Sequence, residues 1–268
     1  MKIIRFLNGE GEVCRGVPES EDAKRAAIIK GDIFDTIVIT KKVERVVSLL
    51  SPIEPPNIFA LGFNYGSHAE ETDVVYPERP IVFMKAVSSV VGPARPIILP
   101  KAGPDEVDYE AELVVVIGKT AKNVRPEEAC DYILGYTCGN DVSARDWQFH
   151  KQKNQWARGK SFDTFCPLGP WLVTADEIQN PNDLKIRAIL NGTVMQDSST
   201  SNMLFDIPTI ISDLSESMTL VPGTVIMTGT PDGVGFTREP PVFLGNGDTI
   251  TIEIERIGRL TNPVIVEG

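Results

Sequence analysis

Short apolar runs rich in β-branched residues, separated by glycine and proline, recur along the chain and predict strands. Such runs occupy residues 58–61, 81–84, 113–117, 132–138, 168–173, 184–190, 225–227, 250–254 and 264–266. Asn191-Gly192, between the run 184–190 and residues 193–196, is a strong signal for a two-residue hairpin turn. The pattern therefore predicts a β-rich mixed α/β fold, with sheets wrapped around a central site.

Helical periodicity is scarcer than strand patterning. Asp206 precedes an amphipathic segment at 207–218 and is suited to cap its first turn. Arg125-Pro126 predicts the start of a short helical turn, because proline fits the first helical position. The spacing of apolar residues at 43–50 predicts a third helix.

The first 50 or so residues differ from the rest of the chain. They contain short strand patterns at 1–6, 11–17 and 37–39, and they end in a proline-rich stretch at 51–56. That stretch has the composition of a linker. We therefore predict a small N-terminal region at residues 1–52 and a catalytic domain at residues 53–268.

Composition narrows the class of protein. A chain of 268 residues with 42% hydrophobic and 24% charged residues can bury a sizeable core. Its apolar runs are far shorter than a membrane span, and its N-terminus lacks the layout of a signal peptide, so we expect no membrane partner and a cytoplasmic location. Four cysteines lack CxxC spacing, which argues against a zinc cluster.

The charge is strongly negative, yet one stretch is basic. A formal charge of −11 repels phosphate, so we expect no nucleic-acid partner. Residues 145–160 include a single acid and five basic residues, which are Arg145, Lys151, Lys153, Arg158 and Lys160. This stretch is equally typical of an anion site and of a solvated loop.

Three acidic residues could share one ion. Glu110 and Glu112 lead into the strand at 113–117 two positions apart, so they face the same side. Asp141 ends the strand pattern at 132–138, where it could reach the same place. Carboxylates held together need a cation between them, and a set of oxygen ligands favours Mg2+ or Mn2+ over zinc. The alternatives are a polar strand face and, for Asp141, the cap of a helix at 142–150.

A histidine and a glutamate form the second candidate constellation. If Ser67 caps a short helix, His68 and Glu71 lie at i and i+3 on one face. A carboxylate beside imidazole raises its basicity and suits it to act as a general base. An isolated histidine is more commonly a surface residue.

Two glycine-flanked polar turns complete the candidates, at residues 159–165 and 228–235. The second offers backbone N–H groups and two threonine hydroxyls that could hold a carboxylate. Its spacing is not that of a phosphate-binding loop, because GxxxxGK[ST] is absent. Ordinary turns have much the same composition.

Taken in order, these motifs resemble the fumarylacetoacetate hydrolase family over residues 56–268. The segments that carry the resemblance are GFNYGSHAEE, PIVFMK, DYEAEL, GNDVSARDWQ, GKSFDTFCPLGP, the LNG hairpin, PGTVIMTGTPDGVG and GNGDTITIEIERIG. The resemblance implies a compact catalytic domain with a pseudo-β-barrel of mixed strands, assembled as a homodimer.

The resemblance also assigns roles to residues. It implies that Glu110, Glu112 and Asp141 bind Mg2+ or Mn2+, with Ca2+ as a substitute in a crystal. It matches His68 and Glu71 to a base dyad on a lid segment. Lys160 matches a lysine that faces the substrate oxygen, and four positions match substrate contacts: Lys85, Arg145, Gln148 and Thr230. Many members carry arginine where this chain has Phe63.

The implied reaction is hydrolysis of a C–C bond in a small 2,4-dioxo acid such as an acylpyruvate or fumarylpyruvate. Water activated by the dyad would attack the distal carbonyl, and the metal and Lys160 would stabilise the pyruvate enolate that leaves. The same machinery could instead serve a 2-hydroxyhepta-2,4-diene-1,7-dioate isomerase or an oxaloacetate-type decarboxylase. A protein that binds a 2-oxo acid without turning it over is the alternative from another class.

Overall fold

Strands dominate the architecture of this protein, whose computed structural model describes residues 1–102, 105–151 and 153–268. The strands are β1 Lys2–Leu7, β2 Val13–Pro18, β3 Arg25–Gly31, β4 Ile37–Arg45, β5 Ser48–Leu50, β6 Ile58–Gly62, β7 Ile81–Met84, β8 Val90–Val91, β9 Ile97–Leu99, β10 Val107–Asp108, β11 Ala111–Ile117, β12 Ile133–Asn140, β13 Ser143–Ala144, β14 Cys166–Thr174, β15 Lys185–Leu190, β16 Thr193–Ser199, β17 Val225–Met227, β18 Thr249–Ile254 and β19 Gly258–Val266. The α-helices are α1 Gly66–Glu71, α2 Trp156–Gly159 and α3 Ile207–Ser217. Short 3-10 helices occupy Val87–Ser89, Pro126–Tyr132, Ala175–Glu177 and Thr200–Asn202, and a π-helical turn occupies Asp146–Lys151.

Most strands belong to one large mixed sheet. Its main path runs in the order β4-β3-β2-β1-β14-β12-β11-β17-β6-β7, with β5 paired to β1 and β8 paired to β14. A second sheet runs in the order β16-β15-β18-β19-β9. Its strands β15, β18 and β19 pack against β11, β12 and β14 of the large sheet. Every residue of β11 is buried, as expected of a strand covered on both faces.

The prediction of a β-rich mixed α/β fold is confirmed. The pairings trace open paths, and no closed barrel is formed among the described strands. Strand β1 pairs with β14, so the N-terminal strands continue the large sheet. The division at residues 52 and 53 stays a prediction. No helix within the described ranges is both long and apolar enough to cross a membrane.

Two local predictions are confirmed by the backbone. Strands β15 and β16 form a hairpin in which Leu190 faces Thr193, so Asn191-Gly192 is its two-residue turn. Both turn residues have positive φ, 51° and 84°, as a type I′ turn requires. The Asp206 side chain accepts a hydrogen bond from Thr209 N–H (2.9 Å) and caps α3.

The helix predicted at 43–50 is wrong. Residues 37–45 form β4, which pairs with β3, and residues 48–50 form β5, which pairs with β1. The segment is rich in valine, which is stiff at χ1 and fits a pleated surface better than a helix. Pairing with neighbouring strands therefore overrode the apolar spacing.

Candidate active site

The three carboxylates meet because of how β11 and β12 pair. The strands are antiparallel with Ala111 opposite Asn140, so Glu110 just before β11 lies beside Asp141 just after β12. The Asp141 N–H donates to the Glu110 carbonyl oxygen at 3.0 Å. Oxygen atoms of Glu110, Glu112 and Asp141 all lie within 4.8 Å of one another, and all three residues are buried. Asp141 therefore does not cap a helix at 142–150, where β13 and the π-helical turn follow instead.

Three buried cations surround this acidic cluster. Lys160 Nζ lies 2.8 Å from Glu110 Oε2 and 2.6 Å from Asp141 Oδ2. Arg145 Nη2 lies 2.8 Å from Glu110 Oε1. Lys85 Nζ forms an ion pair with Asp141 Oδ1, and both side chains are fully buried. The structure thus places Lys85 against Asp141, outside the lining of the cavity described below, and its role as a substrate contact stays a prediction.

Glu110 and Glu112 differ sharply in their electrostatics. Burial alone would raise the pKa of Glu110, but Lys160 and Arg145 outweigh it and lower that pKa below its ordinary value. Burial raises the pKa of Glu112 well above its ordinary value, and the charges of Asp141 and Glu110 raise it further. Glu112 Oε2 accepts from Gly229 N–H at 2.8 Å.

The second oxygen of Glu112 is the strongest sign that a cation belongs here. Glu112 Oε1 is buried and has no hydrogen-bond partner among the described residues. A buried carboxylate oxygen without a donor is costly. The charges of Asp141 and Glu110, the other two members of the triad, also repel that of Glu112. Oxygen ligands of this kind suit a hard divalent ion. Glu110, Glu112 and Asp141 could therefore hold a metal, and the chemistry of the donor set fits Mg2+ or Mn2+.

His68 and Glu71 form the expected pair. His68 Nδ1 lies 2.7 Å from Glu71 Oε1, and the other oxygen of Glu71 accepts from Gly233 N–H (3.1 Å) and the Thr237 hydroxyl (2.9 Å). Glu71 is thus fixed from two sides, and both His68 and Glu71 line the cavity described next. Helix α1 begins at Gly66 without a side-chain cap, so the expected Ser67 cap is wrong, although the i, i+3 spacing holds.

One cavity of about 510 Å³ connects these groups. Of the residues to which the sequence assigned a role in the site, six besides Glu110 line it: His68, Glu71, Arg145, Gln148, Lys160 and Thr230. The buried cluster opens into the cavity at Glu110, whereas Glu112 and Asp141 are fully buried. The dyad, two cations and Glu110 of the acidic triad thereby line one cavity.

Two of the expected substrate contacts are oriented by neighbours. The Gln148 side chain accepts from Arg145 Nη1 at 2.9 Å. The Thr230 hydroxyl accepts from Gln196 Nε2 at 2.8 Å. Both Gln148 and Thr230 are buried and line the cavity.

Asp108 is a site residue that the sequence reasoning missed. Its Oδ2 lies 2.9 Å from Arg145 Nη2, and its carboxylate accepts from the N–H groups of Gly235 (2.7 Å) and Phe236 (3.1 Å). Burial raises the pKa of Asp108, although Arg145 acts against that rise. The signal was present, because Asp108 continues the two-residue alternation of Glu110 and Glu112.

Comparison with known proteins places this site in a family. The sequence profile described as fumarylacetoacetate (FAA) hydrolase C-terminal matches residues 57–265. The mitochondrial oxaloacetate tautomerase fahd2 of Xenopus laevis is 50% identical over 220 residues, which cover 82% of this chain and 69% of that protein. Oxaloacetate tautomerase FAHD2A of Homo sapiens, also mitochondrial, is 46% identical over 220 residues, covering 82% and 70%.

Solved structures agree over the whole chain. The 5-carboxymethyl-2-hydroxymuconate delta-isomerase of Mycobacterium smegmatis has a TM-score of 0.87 and 41% identity, and the match covers 100% of both chains. The fumarylacetoacetate hydrolase of Exiguobacterium antarcticum has a TM-score of 0.85 and 37% identity, again over 100% of both. On this match of sequence and fold, the chain belongs to the fumarylacetoacetate hydrolase family.

Proposed function

We propose that this protein is a metal-dependent tautomerase that interconverts the enol and keto forms of a small 2-oxo acid. The observation that carries the proposal is that the hydrogen-bonded His68–Glu71 pair lines one cavity together with Arg145 and Lys160. Moving a proton on and off carbon requires a general acid–base group held beside a group that stabilises the enolate oxygen. Relatives named oxaloacetate tautomerase, 46% and 50% identical to this chain, support the same reaction class.

Four residues of the cavity have separate roles in the proposed reaction. Arg145 and Lys160 supply positive charge at the cavity wall, where they can hold the substrate carboxylate and the 2-oxo oxygen. In the enol-to-keto direction the enol O–H gives up its proton to solvent and protonated His68 delivers a proton to C3; in the reverse direction neutral His68 removes the C3 proton and the oxygen is protonated again. Glu71 holds the imidazole in one orientation and one tautomer through its contact with Nδ1.

The acidic triad fits a metal in this scheme. Glu110, Glu112 and Asp141 would hold Mg2+ or Mn2+, which when bound polarises the 2-oxo group of such acids. Lys160 contacts both Glu110 and Asp141 and also lines the cavity, so it links the triad to the place where substrate binds.

Hydrolysis of a C–C bond in an acylpyruvate is the second candidate, favoured by a specific observation. The His68–Glu71 pair is also the arrangement that activates water, and the structural neighbour from Exiguobacterium antarcticum is named a fumarylacetoacetate hydrolase. Isomerisation of a dienedioate and decarboxylation of oxaloacetate use the same enolate chemistry. These activities differ in the product that leaves the site.

The deciding experiment follows the protein with Mn2+ on enol oxaloacetate and on acetylpyruvate. Tautomerisation removes the enol absorbance of oxaloacetate while total oxaloacetate stays constant. Hydrolysis yields pyruvate and acetate from acetylpyruvate, and decarboxylation yields CO2 from oxaloacetate. Acceleration of the enol-to-keto step that His68→Ala abolishes supports the proposal. Acetylpyruvate cleavage without any acceleration of that step would replace it by the hydrolase.

We also retain two expectations as proposals: assembly as a homodimer and a cytoplasmic location. The oxaloacetate tautomerases compared above are mitochondrial proteins. Light scattering of the purified chain tests the dimer, because a mass equal to that of the single chain would contradict it.

A further inference from the structure

The cavity has a charged end and an aromatic side. Arg145 and Lys160 both pair with Glu110, and these three residues form the charged end. Pockets of roughly 300–1,000 Å³ take ligands of drug size, so the cavity of about 510 Å³ has much more room than a four-carbon acid needs. The residues that line the remaining space indicate which chemical group of a substrate would fill it.

Three aromatic residues, which we call the aromatic wall, line one side: Phe63, Trp156 and Phe83. The Phe63 and Trp156 rings meet edge to face at 5.2 Å, and Trp156 and Phe83 do so at 5.8 Å. At one end Phe63 stacks on His68 at 5.8 Å, and at the other Lys160 Nζ lies 5.2 Å from the Phe83 ring centre. The aromatic wall therefore spans the space between two proposed catalytic groups.

Two local backbone features position the aromatic wall: the left-handed conformation of Phe63 and the close packing of Trp156 on Gly62. Phe63 has a φ of 53°, in the left-handed region that a bulky residue rarely adopts. A Cβ atom at Gly62 would lie 2.2 Å from the Trp156 ring, so that ring packs directly on the glycine backbone. Strained conformations persist where the surrounding structure imposes them, and they cluster at functional sites.

The charges near the cavity argue against a second carboxylate on the substrate. The charged residues that line the described cavity are Arg145, Lys160 and Glu110, which lie together at the charged end, and two further acids, Glu71 and Asp73. A distal carboxylate beside them would be repelled. Phe149 and Phe236 add further half-buried aromatic surface to the lining. Such surface gains most from contact with a flat apolar group.

We infer that the substrate is a 2-oxo acid with an aromatic group at the end away from its carboxylate, and that this group packs on the aromatic wall. The inference rests on the proposed function and specifies the substrate class of the same site. Phe63 is then a specificity-determining residue. An arylpyruvate enol would place its carboxylate at Arg145, its C3 atom at His68 and its ring against Phe63 and Trp156.

Binding and turnover are tested separately. Calorimetry with Mn2+ present compares two unreactive hydroxy acids, 3-phenyllactate and malate. Kinetics compares the enols of phenylpyruvate and oxaloacetate by loss of enol absorbance. We expect the aromatic compound to be favoured by about tenfold or more in both Kd and kcat/KM, the scale at which an apolar pocket discriminates.

Variants of Phe63 complete the test. Phe63→Arg should lower the preference for the aromatic compounds by about tenfold and favour the dicarboxylates. Phe63→Leu, which keeps the apolar character, should show a smaller loss and guards against a folding defect in the arginine variant. Val75→Arg adds the same charge to the same segment, where Val75 is 90% exposed and outside the cavity lining, and should leave the preference unchanged.

The outcomes separate this inference from the proposed function. Equal or better binding of malate by the unaltered protein, or a preference that Phe63→Arg does not move, would overturn the inference. Turnover of oxaloacetate enol with no aromatic preference would leave the tautomerase standing without it. A clear preference for 3-phenyllactate with no turnover of either enol would support the aromatic wall and remove the tautomerase.

Discussion

Glu110 and Glu112 offer a matched pair of substitutions on neighbouring positions of one strand face. Both would ligate the same ion, but only Glu110 is paired with cations in the structure. Glu112 Oε1 has no partner among the described residues. The change of either residue to glutamine should therefore remove metal binding, while the two changes should affect the metal-free protein differently.

The magnitudes follow from these contacts. Removing one member of a buried ion pair costs about 3–5 kcal/mol. We expect about 3 kcal/mol for Glu110→Gln, since Lys160 keeps Asp141 and Arg145 keeps Asp108. Glu112→Gln removes a crowded charge and leaves an oxygen for Gly229 N–H, so its free energy of unfolding should stay equal or rise by up to about 2 kcal/mol.

Thermal unfolding with and without Mn2+ measures both effects. At a concentration of 100 Kd, Mn2+ should stabilise the unaltered protein by about 2.7 kcal/mol. For domains of 150–250 residues, each 1 kcal/mol shifts Tm by about 2–4 °C. Neither glutamine variant should show the Mn2+ shift, and the exposed Asp131→Asn should keep it. The reasoning is refuted if Glu112→Gln keeps that shift, or if it destabilises the metal-free protein as much as Glu110→Gln does.

Two further substitutions and one labelling experiment test other parts of the site and fold. His68→Ala should keep the Mn2+-dependent rise in Tm and lower turnover by about 100-fold or more, and loss of the Tm response would contradict its role as a base. Asp108→Asn should lower the free energy of unfolding in urea by about 3 kcal/mol, because it weakens a buried pair with Arg145; an unchanged midpoint would show that the pair is dispensable. Exposed Cys130 should react with a thiol reagent at pH 8 in the folded protein, whereas Cys166, whose pKa burial raises to about 12, should react only after unfolding.

The acidic triad could be predicted because it depends on short-range rules. Residues two apart on a strand share a face, which put Glu110 and Glu112 together. Asp141 required one more assumption, that two successive strand patterns pair as neighbours, and sequential strands commonly do so. The structure confirms that pairing and brings the three carboxylates together. The spacing of His68 and Glu71 was equally local.

The basic stretch at residues 145–160 shows what short-range rules cannot predict. The sequence showed five cations between 145 and 160 and could not choose between an anion site and a solvated loop. In the structure Arg145 and Lys160 are buried against carboxylates, whereas Lys151, Lys153 and Arg158 are exposed. The choice depends on long-range contacts with Glu110 and Asp141, which local patterns do not encode.

The turn at 228–235 also shows how a local prediction can be right about the chemistry and miss the partner. It was predicted to hold a carboxylate, and its N–H groups do so, but the carboxylates belong to the protein itself: Gly229 binds Glu112, Gly233 binds Glu71 and Gly235 binds Asp108. One segment thus supports the acidic triad, the histidine dyad and, through Asp108, the arginine of the cavity. Because all three supports lie within seven residues, a shift of this turn would move the proton-transferring and charge-stabilising groups together, which keeps their mutual geometry matched.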